Sequence, residues 1–344
     1  VSKESVLIAM SGGIDSTVAA AILKENGFNV IGVTFILVEG MSSRASRAAE
    51  KLGIRHYTID SKRIFERDVI EDFIFQYKHG RTPNPCIRCN RFVKFEILLQ
   101  EAARLGIPYI ATGHYAKAVR DPGRKRVLLK KGRDPRKDQS YFLYDLTQDQ
   151  LQAALLPLGD LTKPFVRSKA KGLGLSSSGE SQEICFVSGK DYTGFLRSRI
   201  PEAFIPGDIL DREGRPLGRH EGIAGFTIGQ RRGLGIAAEQ PLYVLGIDPE
   251  RHSVTVGPSD YLYQKTVKAE QINWVSLPPA DKPLPVSAQI RYNQKPQPAR
   301  LIPQKDAFFY VDFEQPQRAV TPGQAVVCYQ GSEVIAGGTI VSSA

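Results

Sequence analysis

An apolar run, Val6-Leu7-Ile8-Ala9, leads through Met10 into Ser11-Gly12-Gly13-Ile14-Asp15-Ser16, and a helical stretch to about Asn26 follows at once. This segment constrains the fold more than any other. A buried strand passes the chain to a helix through two adjacent glycines, a junction that belongs in a parallel α/β sheet. The glycines let the backbone approach an anion closely, and the helix start aims free N–H groups and its positive dipole end at the same point. Ser11 and Ser16 add hydroxyl donors, so phosphate is the natural occupant. Asp15 would repel bare phosphate, and its expected role is to hold a bridging Mg2+ ion. Asp15→Ala is then expected to abolish nucleotide chemistry and leave the fold intact. No lysine closes the loop, so it is not the G-x-x-x-x-G-K-[ST] type that handles a γ-phosphate. An ordinary strand-to-helix turn, with Asp as a cap, would leave most of the hexapeptide unexplained.

The alternation continues for the first third of the chain. Val30 to Ile36 reads as a strand, Ala45 to Leu52 as a helix stopped by Gly53, and His56 to Ile59 as a strand. Phe65 to Lys78 reads as an amphipathic helix stopped by Gly80, Phe92 to Leu105 as a helix, and Tyr109 to Thr112 as a strand. The expected fold class is an α/β parallel-sheet domain over residues 1–196. Beyond it Pro and Gly become frequent and short alternating strands replace helices: Leu242 to Ile247, Ser253 to Val256, Val286 to Ile290, Phe308 to Phe313 and Ala325 to Tyr329. These are expected to form a small β-rich central domain over 197–265 and a C-terminal β-barrel over 266–344. There is no run of 18 apolar residues and no signal-peptide pattern at the start, so the expected location is cytoplasmic, with no membrane contact.

Between the helices ending at Lys78 and starting near Arg91 lies Gly-Arg-Thr-Pro-Asn-Pro-Cys-Ile-Arg-Cys-Asn, residues 80–90. Its two prolines suggest an extended loop, and a helix start behind it would stabilise a thiolate. Cys185 stands about a hundred residues on, in Ser-Gln-Glu-Ile-Cys-Phe-Val. The hexapeptide at 11–16 resembles the PP-loop of the ATP pyrophosphatase group, which cleaves ATP between the α- and β-phosphates and adenylates its substrate. Taken with Ala-Thr-Gly-His-Tyr-Ala at 111–116, Lys-Asp-Gln-Ser-Tyr-Phe-Leu at 137–143, Ile-Cys-Phe at 184–186 and the 227–236 segment, it resembles the tRNA 2-thiouridylases, from about residue 6 to Gln324. That resemblance implies ATP-dependent adenylation of the C2 oxygen of the wobble uridine of tRNA, then replacement of that oxygen by sulfur. Cys89 matches the catalytic nucleophile and Cys185 the persulfide carrier. Ala9, Met10, Ser11, Gly12, Gly13, Ile14, Asp15, Ser16, Phe35 and Gly113 match nucleotide contacts. Asn84, Pro85 and Cys86 match the loop that meets the target base. His114, Lys137, Asp138, Gln139, Arg291, Tyr292 and Gln324 match tRNA contacts. The implied partners are tRNA and a sulfur donor, either free sulfide or a persulfide-carrying protein. The charge agrees: 46 Lys and Arg against 36 Asp and Glu give +10, as befits a protein that meets a polyanion.

The chain departs from that family's usual pattern at Cys86, where most relatives carry Asp. Cys86, Cys89 and Cys185 would suit a 4Fe-4S cluster with one iron left open to sulfide. A spare thiol with no metal is the other reading. Cys328, in Ala-Val-Val-Cys-Tyr, reads as a buried apolar residue. Two other functions share parts of the pattern, an amidating or ligating PP-loop synthetase and a non-catalytic tRNA-binding protein. Neither explains the cysteines together with the nucleotide loop.

Overall fold

The computed structural model describes residues 3–38, 43–175, 184–187, 189, 191–305 and 307–343. The first strand, β1 (Ser5–Ala9), lies at the centre of a five-stranded parallel sheet. Its neighbours are β2 (Asn29–Ile36) and β4 (Tyr109–Ala111), with β3 (Arg55–Asp60) outside β2. The hairpin of β5 (Ala116–Asp121) and β6 (Arg126–Lys131) leaves this sheet, and β7 (Ala154–Leu155) closes its far edge. Because β1 is buried on both faces, Val6, Leu7 and Ile8 have no exposed surface, the continuous apolar signature of a central parallel strand. Helix α1 (Ile14–Glu25) and helix α2 (Ser43–Leu52) cover one face.

Two long helices differ from the sequence reading. The helix expected from Phe65 begins at Lys62 and carries a π-helical stretch at Glu66–Ile70 before Glu71–Lys78. The helix expected from about Arg91 begins at Pro85, passes through a π-helical stretch at Cys89–Phe95 and continues as Glu96–Arg104. Pro85 suits this start because the first helical position needs no N–H donor. Asn84 caps it, its side-chain oxygen accepting the Cys86 N–H at 3.2 Å. The cysteines therefore sit on the opening turns of a helix, not in an extended loop.

The central unit is a four-stranded sheet of β8 (Gly207–Leu210), β9 (Pro216–His220), β10 (Tyr243–Asp248) and β11 (Ser253–Gly257). The last unit runs β12 (Tyr263–Trp274), β13 (Leu284–Gln289), β14 (Gln297–Pro303), β15 (Phe309–Arg318), β16 (Ala325–Gln330) and β17 (Glu333–Ser343). Pairing β12 with β17 closes these six into a barrel. Three of them, β12, β14 and β17, are not expected from the sequence.

The barrel and the first domain share one core. Val275, Ala325, Val327, Tyr329 and Val334 pack in the same buried cluster as Leu7, Phe95, Leu98 and Ile110. The β5–β6 hairpin extends the barrel sheet through the Lys130–Glu333 pairing. Arg126 donates to the carbonyls of Trp274 and Val275, at 2.8 and 3.1 Å.

Candidate active site

Helix α1 is capped by Gly13, which offers no side-chain acceptor, so its first-turn donors are left for an anion. The serines fold the turn back on itself. Ser11 N–H donates to Ser16 Oγ at 3.2 Å, and Ser16 Oγ–H donates to the Gly13 carbonyl at 3.2 Å. Gly12 has φ +75°, and a Cβ there would stand 2.7 Å from the Ala45 nitrogen of α2. A Cβ on Gly113 would stand 2.8 Å from the Ser16 nitrogen. Both glycines let neighbouring backbone close on the loop. This cradle fits a polyphosphate.

Asp15 is engaged differently from the sequence reading. Both its oxygens accept from Lys163 Nζ at 2.7 Å, and Oδ1 also accepts from the Tyr115 hydroxyl at 2.7 Å. Lys163, at the start of the helix Lys163–Gly172, is 3 % exposed. A buried ammonium needs a counter-ion, and Asp15 is the carboxylate that supplies one. No magnesium step is therefore routed through Asp15.

A cavity of about 450 Å³ opens from this loop. Ala9, Met10, Ser11, Asp15, Ser16, Phe35 and Gly113 line it together with Pro85, Cys86, Cys89 and Cys185. The fold thus brings the nucleotide loop and all three candidate cysteines to one space, although Cys185 is far from the others in sequence. Cys89 is buried, while Cys86 and Cys185 are open to the cavity. Burial pushes the Cys89 thiol up to about 12, against the downward pull of Lys94. The thiols of Cys86 and Cys185 are also raised by burial, an effect tempered by their access to water in the cavity. The expected stabilisation of a thiolate by the helix start is thus outweighed by desolvation. Cys328 is fully buried in β16, where burial raises its thiol strongly.

The donor set does not fit an iron–sulfur cluster as arranged. The three cysteines share a cavity, yet no three His, Cys, Asp or Glu side chains are gathered closely enough to hold a metal ion among the described residues. The cluster expected from the sequence has no cage here, and no chemistry is derived through it.

The residues matched to tRNA contacts are dispersed. His114 is 9 % exposed, stacks on Phe95 at 6.0 Å and shares a hydrogen bond with Thr112 at 2.8 Å. Burial holds its imidazole well below the usual range, so it is a neutral wall of the cavity. Asp138 accepts from the Gly132 and Ser140 amides and the Ser140 hydroxyl. Gln139 lines the cavity and accepts the Tyr115 N–H at 3.0 Å. Lys137 is half-buried beside them. Arg291 donates to the Ala319 carbonyl and to Thr321, and Tyr292 packs on Phe142 at 4.3 Å. Gln324 donates to the Thr82 carbonyl at 2.8 Å. Sequence reasoning missed Lys163, Tyr115 and Lys94. Lys94 lines the cavity and its charge acts on all three cysteines and on His114. Its spacing of five from Cys89 matches a π-helical turn, a signal invisible without the structure.

A glycine-lined anion cradle at the end of a parallel sheet, sharing one cavity with three cysteines, marks an α/β domain of the phosphate-binding kind. Family models match three segments: a "tRNA methyl transferase HUP domain" over residues 4–189, a "tRNA methyl transferase PRC-barrel domain" over 193–258 and an "Aminomethyltransferase beta-barrel domain" over 264–340. The chain is 47% identical to the tRNA-specific 2-thiouridylase MnmA of Acetivibrio thermocellus, over 98% of this chain and 99% of that protein. It is 46% identical to the MnmA of Heliobacterium modesticaldum, over 98% of this chain and 93% of that protein. It is 47% identical to that of Desulforudis audaxviator, over 98% of both. The chain belongs to the tRNA-specific 2-thiouridylase family.

Proposed function

We propose that this protein is an ATP-dependent tRNA-uridine 2-sulfurtransferase. The observation that carries the reading is the single cavity joining the anion cradle at Ser11–Ser16 to Cys86, Cys89 and Cys185. A methyl transfer, the wording of two matched family models, has no use for thiols facing a phosphate cradle. The relatives' name, 2-thiouridylase, supports a reading that uses both the cradle and the cysteines.

The chemistry follows in two steps. The C2 oxygen of the wobble uridine attacks the α-phosphorus of ATP, and pyrophosphate leaves. The α-phosphoryl group is then bonded to that oxygen, which makes it a good leaving group. The cradle donors hold the phosphates, and the helix dipole opposes their charge. A persulfide on Cys185 then places its outer sulfur on C2, and AMP departs with the original oxygen. Attack of Cys89 on the Cys185 sulfur breaks the S–S bond, frees the 2-thiouridine and leaves a Cys89–Cys185 disulfide. An external thiol reduces that disulfide before the next turn. Mg2+ would accompany ATP as its counter-ion.

An assay with ATP, unmodified tRNA and a persulfide donor tests the reading. Thiolated uridine and one pyrophosphate per thiolation are expected, with Cys89→Ala and Cys185→Ala losing the product. Full activity in both variants would overturn the assignment, and an amidated product would point to a ligating synthetase. Strict dependence on bound iron would restore the cluster-bound sulfide as the donor. A cytoplasmic location follows from this function; no described helix is long and apolar enough to cross a membrane.

A further inference from the structure

The chemistry above uses Cys89 and Cys185 and leaves Cys86 without a task. Its position gives it one. Asn84 caps the helix that starts at Pro85, and the Cys89 N–H donates to the carbonyls of Cys86 and Pro85. Cys86 and Cys89 thus stand one helical turn apart. Three residues along a regular helix separate the Cα atoms by about 5 Å, inside the range that a disulfide spans. The two side chains share a face. Cys86 and Cys89 line the cavity that also holds Cys185, whereas Ile87 and Arg88, between them, line a separate recess with Asp72 and Asp145. A C-x-x-C pair beside a parallel sheet reads as a dithiol exchange site.

The exposures divide the work. Cys89 is 6 % exposed, while Cys86 and Cys185 are open. One turnover by the route above leaves Cys89 joined to Cys185. A reductant from solution reaches that bridge at Cys185, and its attack there leaves a mixed disulfide on the sulfur carrier. Cys86 meets the bridge from the other end, at the Cys89 sulfur, and displaces Cys185 as a free thiol. A neighbour held one helical turn away also outpaces a thiol that must diffuse in.

We infer that Cys86 is the resolving thiol of a disulfide relay. It attacks the Cys89 sulfur of the Cys89–Cys185 bridge, forms a Cys86–Cys89 disulfide and releases Cys185 to take up the next persulfide sulfur. Cys86 gives up its proton as the new S–S bond forms, and Cys185 gains one as the old bond breaks, so no electrons enter at this step. A small external thiol then attacks the open Cys86 sulfur and frees Cys89. A second thiol removes the first as their own disulfide, and the two electrons they supply return both cysteines to thiols. The inference rests on the persulfide chemistry proposed above.

Disulfide mapping after one turnover tests the relay. Protein carrying a persulfide on Cys185 is given ATP and unmodified tRNA without reductant, then quenched in acid, alkylated and digested. The expected bridge is Cys86–Cys89, with Cys185 alkylated; in Cys86→Ser it is Cys89–Cys185. With glutathione and a persulfide donor in excess, Cys86→Ser is expected to make about one thiouridine per protein and then slow roughly tenfold, a burst that the parent lacks. A parent that holds only the Cys89–Cys185 bridge, with Cys86 alkylated, would overturn the relay. So would a Cys86→Ser variant without a burst, whether it is as fast as the parent or slow from the start. Thiouridine formed without any disulfide would overturn the persulfide chemistry itself, and no thiouridine at all would overturn the function.

Discussion

At the scale of single residues, the Asp15–Lys163 pair changes what a mutation of the nucleotide loop means. Asp15→Ala removes both carboxylate contacts of a lysine that is 3 % exposed, so a loss of stability is expected beside the loss of nucleotide chemistry. Removing one partner of a buried pair costs about 3–5 kcal/mol, and about 2–3 kcal/mol is the better expectation here because Asp15 is a third exposed. The double variant Asp15→Ala/Lys163→Met is expected to regain most of the lost melting temperature without regaining pyrophosphate release. Equal melting temperatures for the single and double variants would contradict this. The Cys89 thiol, pushed up to about 12, is neutral at pH 7, and its thiolate fraction grows as pH rises. Iodoacetamide labelling of Cys89 is expected to accelerate about tenfold per pH unit between pH 7 and 10. Lys94→Met should slow it at every pH, since the ammonium favours the thiolate. Ser11, Gly12 and Gly13 were legible because contiguous residues carry their meaning locally, whereas the ion pair of Asp15 was not. Lys163 was not, because a lone lysine 148 positions from its partner has no pattern.

At the scale of elements, the segment before the cysteines is held by both later domains. Thr82 N–H donates to the Pro322 carbonyl at 2.8 Å, and the Thr82 carbonyl accepts from Gln324. Its hydroxyl meets Thr227 of the central unit at 3.0 Å. Gly323, at φ +90°, sits so close that a Cβ would stand 2.9 Å from the Thr82 nitrogen. Gly323→Ala is therefore expected to cost about 1–3 kcal/mol and to shift Cys86 and Cys89. Its signature is a loss in kcat larger than the loss in tRNA affinity; the reverse ratio would assign the turn to RNA contact instead. Gln324 reads as an RNA contact through the family resemblance alone, and sequence does not show that its amide meets Thr82. The helix start at Pro85 is hidden for a local reason. Two prolines suggest extension, but a proline at the first helical position is compatible with an Asn cap before it. The π-helical turns have no sequence signature at all. Strand β12 is hidden because its apolar alternation is short, only Val267 and Ala269 standing inward between the exposed Lys265 and Gln271.

For the whole molecule, the excess of ten positive charges predicts counter-ion release on binding RNA. Affinity for tRNA is expected to fall steeply between 50 and 200 mM salt, roughly 10³-fold if six phosphates are neutralised. Replacing the exposed Arg231 and Arg232 by Ala should flatten that slope, and an unaltered slope would exclude them from the interface. The broad plan of a parallel-sheet domain, a small β unit and a barrel was legible from strand–helix alternation and its change in character. The merged core was not, since Tyr329 and Val327 read equally well as barrel interior or domain seam. A chain cut near residue 265 should accordingly lose its nucleotide site by misfolding, and an undiminished nucleotide-dependent shift in melting temperature would argue otherwise. The hairpin seam also sets a clock on birth at the ribosome. Residue 130 pairs with β5 at once, but the other edge of its strand must wait for residue 333. At about 5–20 residues per second, that leaves the half-built first domain with an open edge for roughly ten to forty seconds. During that interval the nascent chain offers an open strand edge and unfilled apolar surface to every neighbour. A holding chaperone is therefore expected on the nascent polypeptide until the last barrel strand has emerged.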